Sequence, residues 1–331
     1  MTDLWHRFGD LRGCPVRSCE AAMLAVVSSF TNIRAARDDG AIIVIDAAMG
    51  TELESRGVHM DTNAWCGLAN LTHPELVQAI HEDHIRAGAD VIITNTYMSG
   101  IGPMDRAGWA DRFEEGVRSA VRVARAAADA VGRPVAVAGS ASVNEWAVPA
   151  GDDHEHLRAG YARELDLLAE AGVDLIVLEM VLDTHRGRAA LEAARATGLP
   201  VWLGLSTSTP GRTTNDAHQL PEIDETREVA AALMADDLDA VCVMHTDIDD
   251  VTPALKMLAP LWDGALGVYP HRGRWLKPHW GFEDIAPDYL VDQAADWVAR
   301  GVSMVGGCCG LSTRHIQALR AAVDAHTLAR S

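Results

Sequence analysis

Val302-Ser303-Met304-Val305-Gly306-Gly307-Cys308-Cys309-Gly310 is a short apolar run that breaks into glycines and two adjacent thiols. Neighbouring cysteines rarely bond to each other, because the ring so formed is strained. Flanking glycines let the backbone turn sharply enough for both sulfurs to face one soft cation. The competing reading is two small buried residues at the end of a core strand. The remaining sequence has to supply a third ligand and a pocket.

The same cadence runs through the chain upstream. Apolar runs occur at Ile42–Asp46, Asp90–Asn95, Pro134–Ser140, Asp174–Glu179, Pro200–Ser206, Asp239–His245 and Ala265–Pro270, with Val302–Gly307 as the eighth. None alternates cleanly, as expected of parallel strands buried on both faces. Alanine-rich segments of helical period separate them, among them Pro74–Ala87, Ala110–Val131, His154–Ala171 and Thr184–Thr197. Glu222–Ala235, Pro287–Arg300 and Ser312–Leu328 continue the series. Gly88, Gly172, Gly198 and Gly301 stand where helices should close. Eight strands alternating with helices predict an α/β fold, a single (β/α)8 TIM barrel over residues 41–331. Residues 1–40 read as an N-terminal extension, with a helix laid on the body as its simplest form. A doubly wound sheet is the competitor, but no glycine-rich dinucleotide loop follows the first run.

Composition narrows the function. The formal charge of -19 offers no basic surface to nucleic acid or to an anionic membrane. Six scattered cysteines do not form a secreted disulfide framework, so a reducing, cytoplasmic setting fits better. No apolar run approaches membrane-spanning length. The oligomeric state stays open, a homo-oligomer included.

In such barrels chemistry gathers where strands end. Those ends read Asp46, Asn95, Ser140, Glu179, Ser206, His245, Tyr269-Pro270 and Cys308-Cys309. Asp46 and Glu179, set beyond buried runs, complement a ligand ammonium group; helix capping is the plainer alternative for each. Ala47 and Ala48 are small enough for their backbone N–H groups to approach a carboxylate. Together these features describe amino-acid recognition. His245 completes a Cys2His set with Cys308 and Cys309, leaving the fourth position of a catalytic zinc ion open. Cys242 is the rival ligand, and strand alternation turns it away from His245. Asn95 and Tyr97 are candidates for positioning substrate, or for a strand-end turn. His271, His279, His81 and His84 look too dispersed for a second metal site, and His81, Asp83 and His84 are expected to face solvent.

These residues carry a family resemblance. Asp46-Ala-Ala-Met-Gly-Thr-Glu-Leu53, Ala87-Gly-Ala-Asp-Val-Ile-Ile-Thr-Asn-Thr-Tyr97, Ala138-Gly-Ser140, Asp174-Leu-Ile-Val-Leu-Glu179 and Gly306-Gly-Cys-Cys-Gly310 are similar to the motifs of the homocysteine S-methyltransferases, zinc-dependent barrels. The resemblance covers about Ile42 to Leu319. It implies Cys308 and Cys309 as Zn2+ ligands, Asp46 and Glu179 on the substrate ammonium, and Ala47-Ala48 backbone on its carboxylate. Three departures stand out: Ala47-Ala48 where the family turn is glycine-rich, Ser142-Val143 in place of Gly-Pro, and Met244-His245 where the family has Asn-Cys with that cysteine as third zinc ligand.

Replacing a thiolate by neutral imidazole makes the metal centre one unit more positive, so a bound thiol ionises more readily but attacks less well. The sequence therefore predicts a zinc-dependent S-methyltransferase that moves a methyl group from a small onium donor to a homocysteine-like amino-acid thiol. Trp146, Tyr97, Trp275 and Trp280 are candidate contacts for the donor cation, each with ordinary loop packing as the plainer reading. A hydrolase or lyase on the altered His-Cys-Cys site, or a degenerate binding protein without turnover, are the alternatives.

Overall fold

A computed structural model describes residues 29–148, 151, 153–210, 220–234, 237–325 and 328. Cys14, Cys19 and most of the expected N-terminal extension lie outside the described residues. All eight expected runs become strands of one parallel sheet: β1 Ile43–Val44, β2 Val91–Ile93, β3 Ala136–Ser142, β4 Leu175–Val181, β5 Val201–Leu205, β6 Ala240–Asp247, β7 Leu266–His271 and, last in the chain, β10 Val302–Val305. Their order is β1-β10-β7-β6-β5-β4-β3-β2. A parallel bridge from Ile45 to Val91 joins the two outer members, so the sheet rolls up into a barrel.

The helices follow the amphipathic segments. They are α1 over residues 29–38, α2 Met49–Ser55, α3 Ala69–Thr72, α4 Pro74–Ala87, α5 Ile101–Arg106, α6 Phe113–Asp129, α7 His154–Ala171, α8 Thr184–Ala196, α9 Ile223–Leu233, α10 Val251–Leu258, α11 Pro287–Ala299 and α12 Thr313–Asp324. Gly88 and Gly172 end α4 and α7 in the left-handed conformation that glycine adopts at least cost. Each is followed within two residues by an aspartate that stitches the sheet. Asp90 accepts from the Val44 N–H at 3.0 Å, and Asp174 accepts from the Val137 N–H at 2.7 Å. The repeated connector is thus a device for tying a strand's start to its neighbour.

Inside the barrel, Ile43, Ile45, Val91, Val177, Trp202, Cys242, Met244, Tyr269 and Met304 share one core. A second and larger core lies between the strands and their helices. Phe30 and Ile33 of α1 join the inner core from below. Arg37 of the same helix bonds Asp239 at 2.8 Å and so fastens α1 across the barrel floor.

Two features depart from the sequence reading. His81 and His84 are fully buried, and only their neighbour Asp83 reaches solvent. The helix period explains this: Val77, Ile80, His81, His84 and Ile85 recur on one face of α4, which packs inward whatever the polarity of its members. The second is a hairpin absent from the expected element list, β8 Arg274–Leu276 paired antiparallel with β9 His279–Gly281. It rises from the end of β7 and leans over the barrel mouth.

Candidate active site and metal centre

Beneath that hairpin lies a cavity of about 470 Å³. Seven of the eight barrel strands contribute their ends to its wall, through Asp46, Asn95, Ser140, Glu179, His245, Tyr269 and the Cys308-Cys309 pair. The exception is Ser206 after β5, whose hydroxyl donates instead to the Met244 carbonyl at 2.8 Å.

The thiols are held by backbone. After β10 the Gly307 N–H donates to the Asp46 carbonyl, the Cys308 N–H to the Pro270 carbonyl at 2.7 Å, and the Arg272 N–H to the Cys309 carbonyl at 2.9 Å. A Cβ at Gly306 would sit 2.7 Å from that of Ile45, and one at Gly310 would run into the Arg272 carbonyl. Glycine is therefore required for this loop to lie between β1 and β7. The two sulfurs end 3.9 Å apart. Ligands ~2.3 Å from a tetrahedral zinc ion would be separated by ~3.8 Å, so the spacing suits that metal.

His245 reaches the same point by a different route. Along β6, Ala240, Cys242 and Met244 face the barrel interior while Val241 and Val243 face the helices. Regular alternation would turn His245 outward. Instead its φ is 41°, and the β6–β7 register slips between Met244 and Asp247. This bulge swings the imidazole into the mouth, where a ring nitrogen and both sulfurs lie within 4.8 Å of one another. Cys242 stays deeper in the inner core, against Gly267, where an added Cβ would approach its sulfur to 2.6 Å. Among the described residues His245, Cys308 and Cys309 form the one group of metal-capable side chains.

Strained backbone is confined to this region. The non-glycine residues with left-handed φ among those described are Trp65, Met180 and His245, and all three line the cavity. Met180 sits on a second bulge, where the β4–β5 register slips between Leu178 and Val181. It directly follows Glu179.

Burial sets the electrostatics. Cys308 falls well below the usual thiol range because Cys309 donates a hydrogen bond to it and His245 adds to the effect, burial opposing both. Cys309 is pushed well up as it keeps the proton. Burial raises the Glu179 carboxyl to about 8, with the neighbouring Cys308 charge acting in the same direction. It also raises Asp46, against the pull of His84 and the Ile93 N–H. Arg106 and Lys277 also line the cavity, but no described lysine or arginine pairs with Asp46 or Glu179, so the two buried acids beside the thiols invite an ammonium group and a metal ion.

The other expected residues are placed as follows. Ala47 and Ala48 line the cavity at the start of α2, with no side chain capping that helix. Asn95 also lines it, but its amide is engaged. The Nδ2 group donates to the Cys66 carbonyl at 3.1 Å and to Asn70 Oδ1 at 3.0 Å, while Oδ1 accepts from the Cys66 thiol. Trp146, Tyr97, Trp275 and Trp280 all reach the wall, the last two from the hairpin. Sequence reasoning missed Trp65, which packs edge-on against Trp275 with centroids 5.3 Å apart. It also missed His271, buried beside His245 with ring centroids 4.8 Å apart. The signal for His271 was its place at the end of β7, one position beyond Pro270.

Comparison with known proteins follows the same lines. The sequence profile of the homocysteine S-methyltransferase family matches residues 43–323. Homocysteine S-methyltransferase 4 of Zea mays is 28% identical over 320 residues, covering 87% of this chain and 91% of that protein. The selenocysteine methyltransferase of Astragalus bisulcatus is 26% identical over 306 residues, covering 82% and 89%. Among solved structures, the metallated form of the homocysteine methyltransferase of Escherichia coli superposes with a TM-score of 0.69 at 26% identity, over 87% of this chain and 99% of that one. No helix among the described residues is long and apolar enough to cross a membrane. With its profile matched from the first barrel strand to the last helix, the chain belongs to the homocysteine S-methyltransferase family, and it is a methyltransferase enzyme.

Proposed function

We propose that the chain is a zinc-dependent S-methyltransferase that moves a methyl group from a small onium donor to a homocysteine-like thiol. The observation that carries this reading is the convergence of His245, Cys308 and Cys309 at zinc-compatible spacing on the wall of a cavity that also holds two buried carboxyls. The donor set fits the ion: two soft thiols and an imidazole, one thiol already biased toward thiolate. Zinc bound there supplies a Lewis acid that favours the thiolate form of the acceptor.

The chain's own residues do the rest. Asp46 and Glu179 hold the acceptor ammonium, and no described residue accepts from the Ala47 or Ala48 N–H, which leaves both for the carboxylate. At pH 7 Glu179 gives up its proton as the ammonium arrives. The walls made by Tyr97, Trp146, Trp275 and Trp280 exclude water and face the donor cation with aromatic rings. The acceptor sulfur attacks in line: its lone pair forms the new S–CH3 bond, and the electrons of the breaking bond stay with the donor's heteroatom. Similarity to the maize and Astragalus enzymes favours a thiol or selenol acceptor and lends nothing to a hydrolase or lyase.

The test is metal quantification, then mass spectrometry of homocysteine and selenocysteine incubated with sulfonium and quaternary ammonium donors. About one zinc per chain and a methylated product are expected. Substituting His245→Cys should raise turnover of homocysteine by making the centre more electron-rich. A zinc-loaded protein that methylates neither acceptor with any donor overturns the proposal.

A further inference from the structure

On the far side of Asp46 from the cavity, α4 presents two fully buried histidines, His81 and His84. Among the described residues, neither ring nitrogen of either histidine has a hydrogen-bond partner. Orphaned polar atoms in a dry environment are costly, so their retention asks for a reason. His84 Nδ1 lies 3.8 Å from Asp46 Oδ2, slightly beyond bonding distance. The same oxygen accepts from the Ile93 N–H at 2.9 Å, while no described residue donates to Oδ1. One edge of the carboxylate is thus turned toward protein and the other left for the cavity.

We propose that His84 is a positioning residue for acceptor binding: its Nδ1–H anchors Asp46 from behind, so that the opposite oxygen is aimed at the ammonium of the amino acid. Binding draws the carboxylate into its final place between Ile93 N–H, His84 and the ligand, closing a gap of less than an ångström. His84 does not line the cavity and touches neither reactant. This inference rests on the proposed role of Asp46 in the reading above, and it assigns a function to a buried histidine that the reaction itself does not require.

Substitutions that differ only in reach separate positioning from packing. In His84→Asn the amide nitrogen falls near the place of Nδ1, whereas in His84→Gln it falls near Nε2, away from Asp46. His84→Leu removes the donor altogether. His84→Leu and His84→Gln are expected to raise the acceptor KM about 10-fold or more, the scale of a lost charge-assisted hydrogen bond. The donor KM and kcat should stay within about twofold, and His84→Asn should recover most of the loss. Calorimetric binding of methionine, the thioether product, should follow the same ranking without turnover. Equal acceptor KM in Asn and Gln variants, or parallel losses in kcat and both KM values, overturns the proposal; the Asn–Gln comparison decides it even where Leu fails to fold. A wild-type protein that binds methionine but methylates no thiol overturns the activity reading instead, and the binding ranking still decides the role of His84. One that binds no amino acid removes the role of Asp46 and the proposal with it.

Discussion

The floor and the mouth of this barrel bury charge equally deeply and treat it in opposite ways. At the floor, Arg37 and Asp239 are 5% and 3% exposed and lie 2.8 Å apart. Arg34 adds a contact to Asp239 at 2.9 Å, and the Trp202 indole donates to it at 2.8 Å. Every charge there is answered within the chain. At the mouth, Asp46 and Glu179 are 3% and 6% exposed, yet among the described residues no lysine or arginine pairs with either. The strand frame is common to both ends. What differs is whether the partner is built in or left for a ligand, and that divides residues that hold the fold from residues that act.

The largest expected effect breaks the mouth alone. Cys308→Ser removes one soft ligand and the thiolate of the pair. Bound zinc should fall to a small fraction of one equivalent, and turnover should drop by more than the roughly 10–100-fold that losing a supporting partner costs at a metal site. Thermal stability of the metal-free protein should barely change, since the loop is held by backbone hydrogen bonds. Full metal content in the variant, read by elemental analysis, would remove Cys308 from the ligand set.

The converse experiment breaks the floor alone. Arg37→Met keeps much of the side chain's bulk and leaves Asp239 buried with one cation fewer. Breaking a buried pair from one side costs about 3 kcal/mol or more. Arg34 and Trp202 remain, so the low end of that range is expected from denaturant unfolding, with kcat and both KM values unchanged. A stable variant with altered kinetics would mean that the two ends are not independent.

How much of this was legible beforehand follows the same division. The eight strands, the glycine helix ends and the strand-end residues could be read from hydrophobic runs and their punctuation, because a doubly covered parallel strand imposes its own composition. The position of His245 could be read, but the means by which it faces the cavity could not: a bulge and a left-handed φ are conformations that the surrounding packing enforces on an ordinary residue. His81 and His84 were legible by period and obscured by polarity, since they share the inward face of α4 with Val77, Ile80 and Ile85. The hairpin β8–β9 offered only short, mixed segments, and its Trp275 and Trp280 acquire meaning from the cavity below them.

The smallest effect sharpens the comparison by moving to a third place. Glu164 on α7 is 3% exposed, and burial alone raises its carboxyl to about 8, the same value as Glu179. It packs against Gly100 at the start of α5 and does not line the cavity. Between the unfolded value of 4.5 and about 8, the folded chain keeps a proton that the unfolded chain releases. Stability from this group is therefore present below pH 4.5 and lost as pH rises through 8. Glu164→Gln cannot ionise, so unfolding free energies should lose part of their decline across that window and exceed wild type near pH 9. Acceptor KM should be unchanged in this variant, whereas Glu179→Gln should weaken acceptor binding at every pH. If Glu164→Gln follows the wild-type stability profile throughout, burial does not raise its carboxyl; if it alters acceptor KM, the boundary drawn between the mouth and the helices around it is in the wrong place. An equally displaced carboxyl that leaves catalysis untouched would show that burial supplies the shift, and only an open face toward the ligand turns it into function.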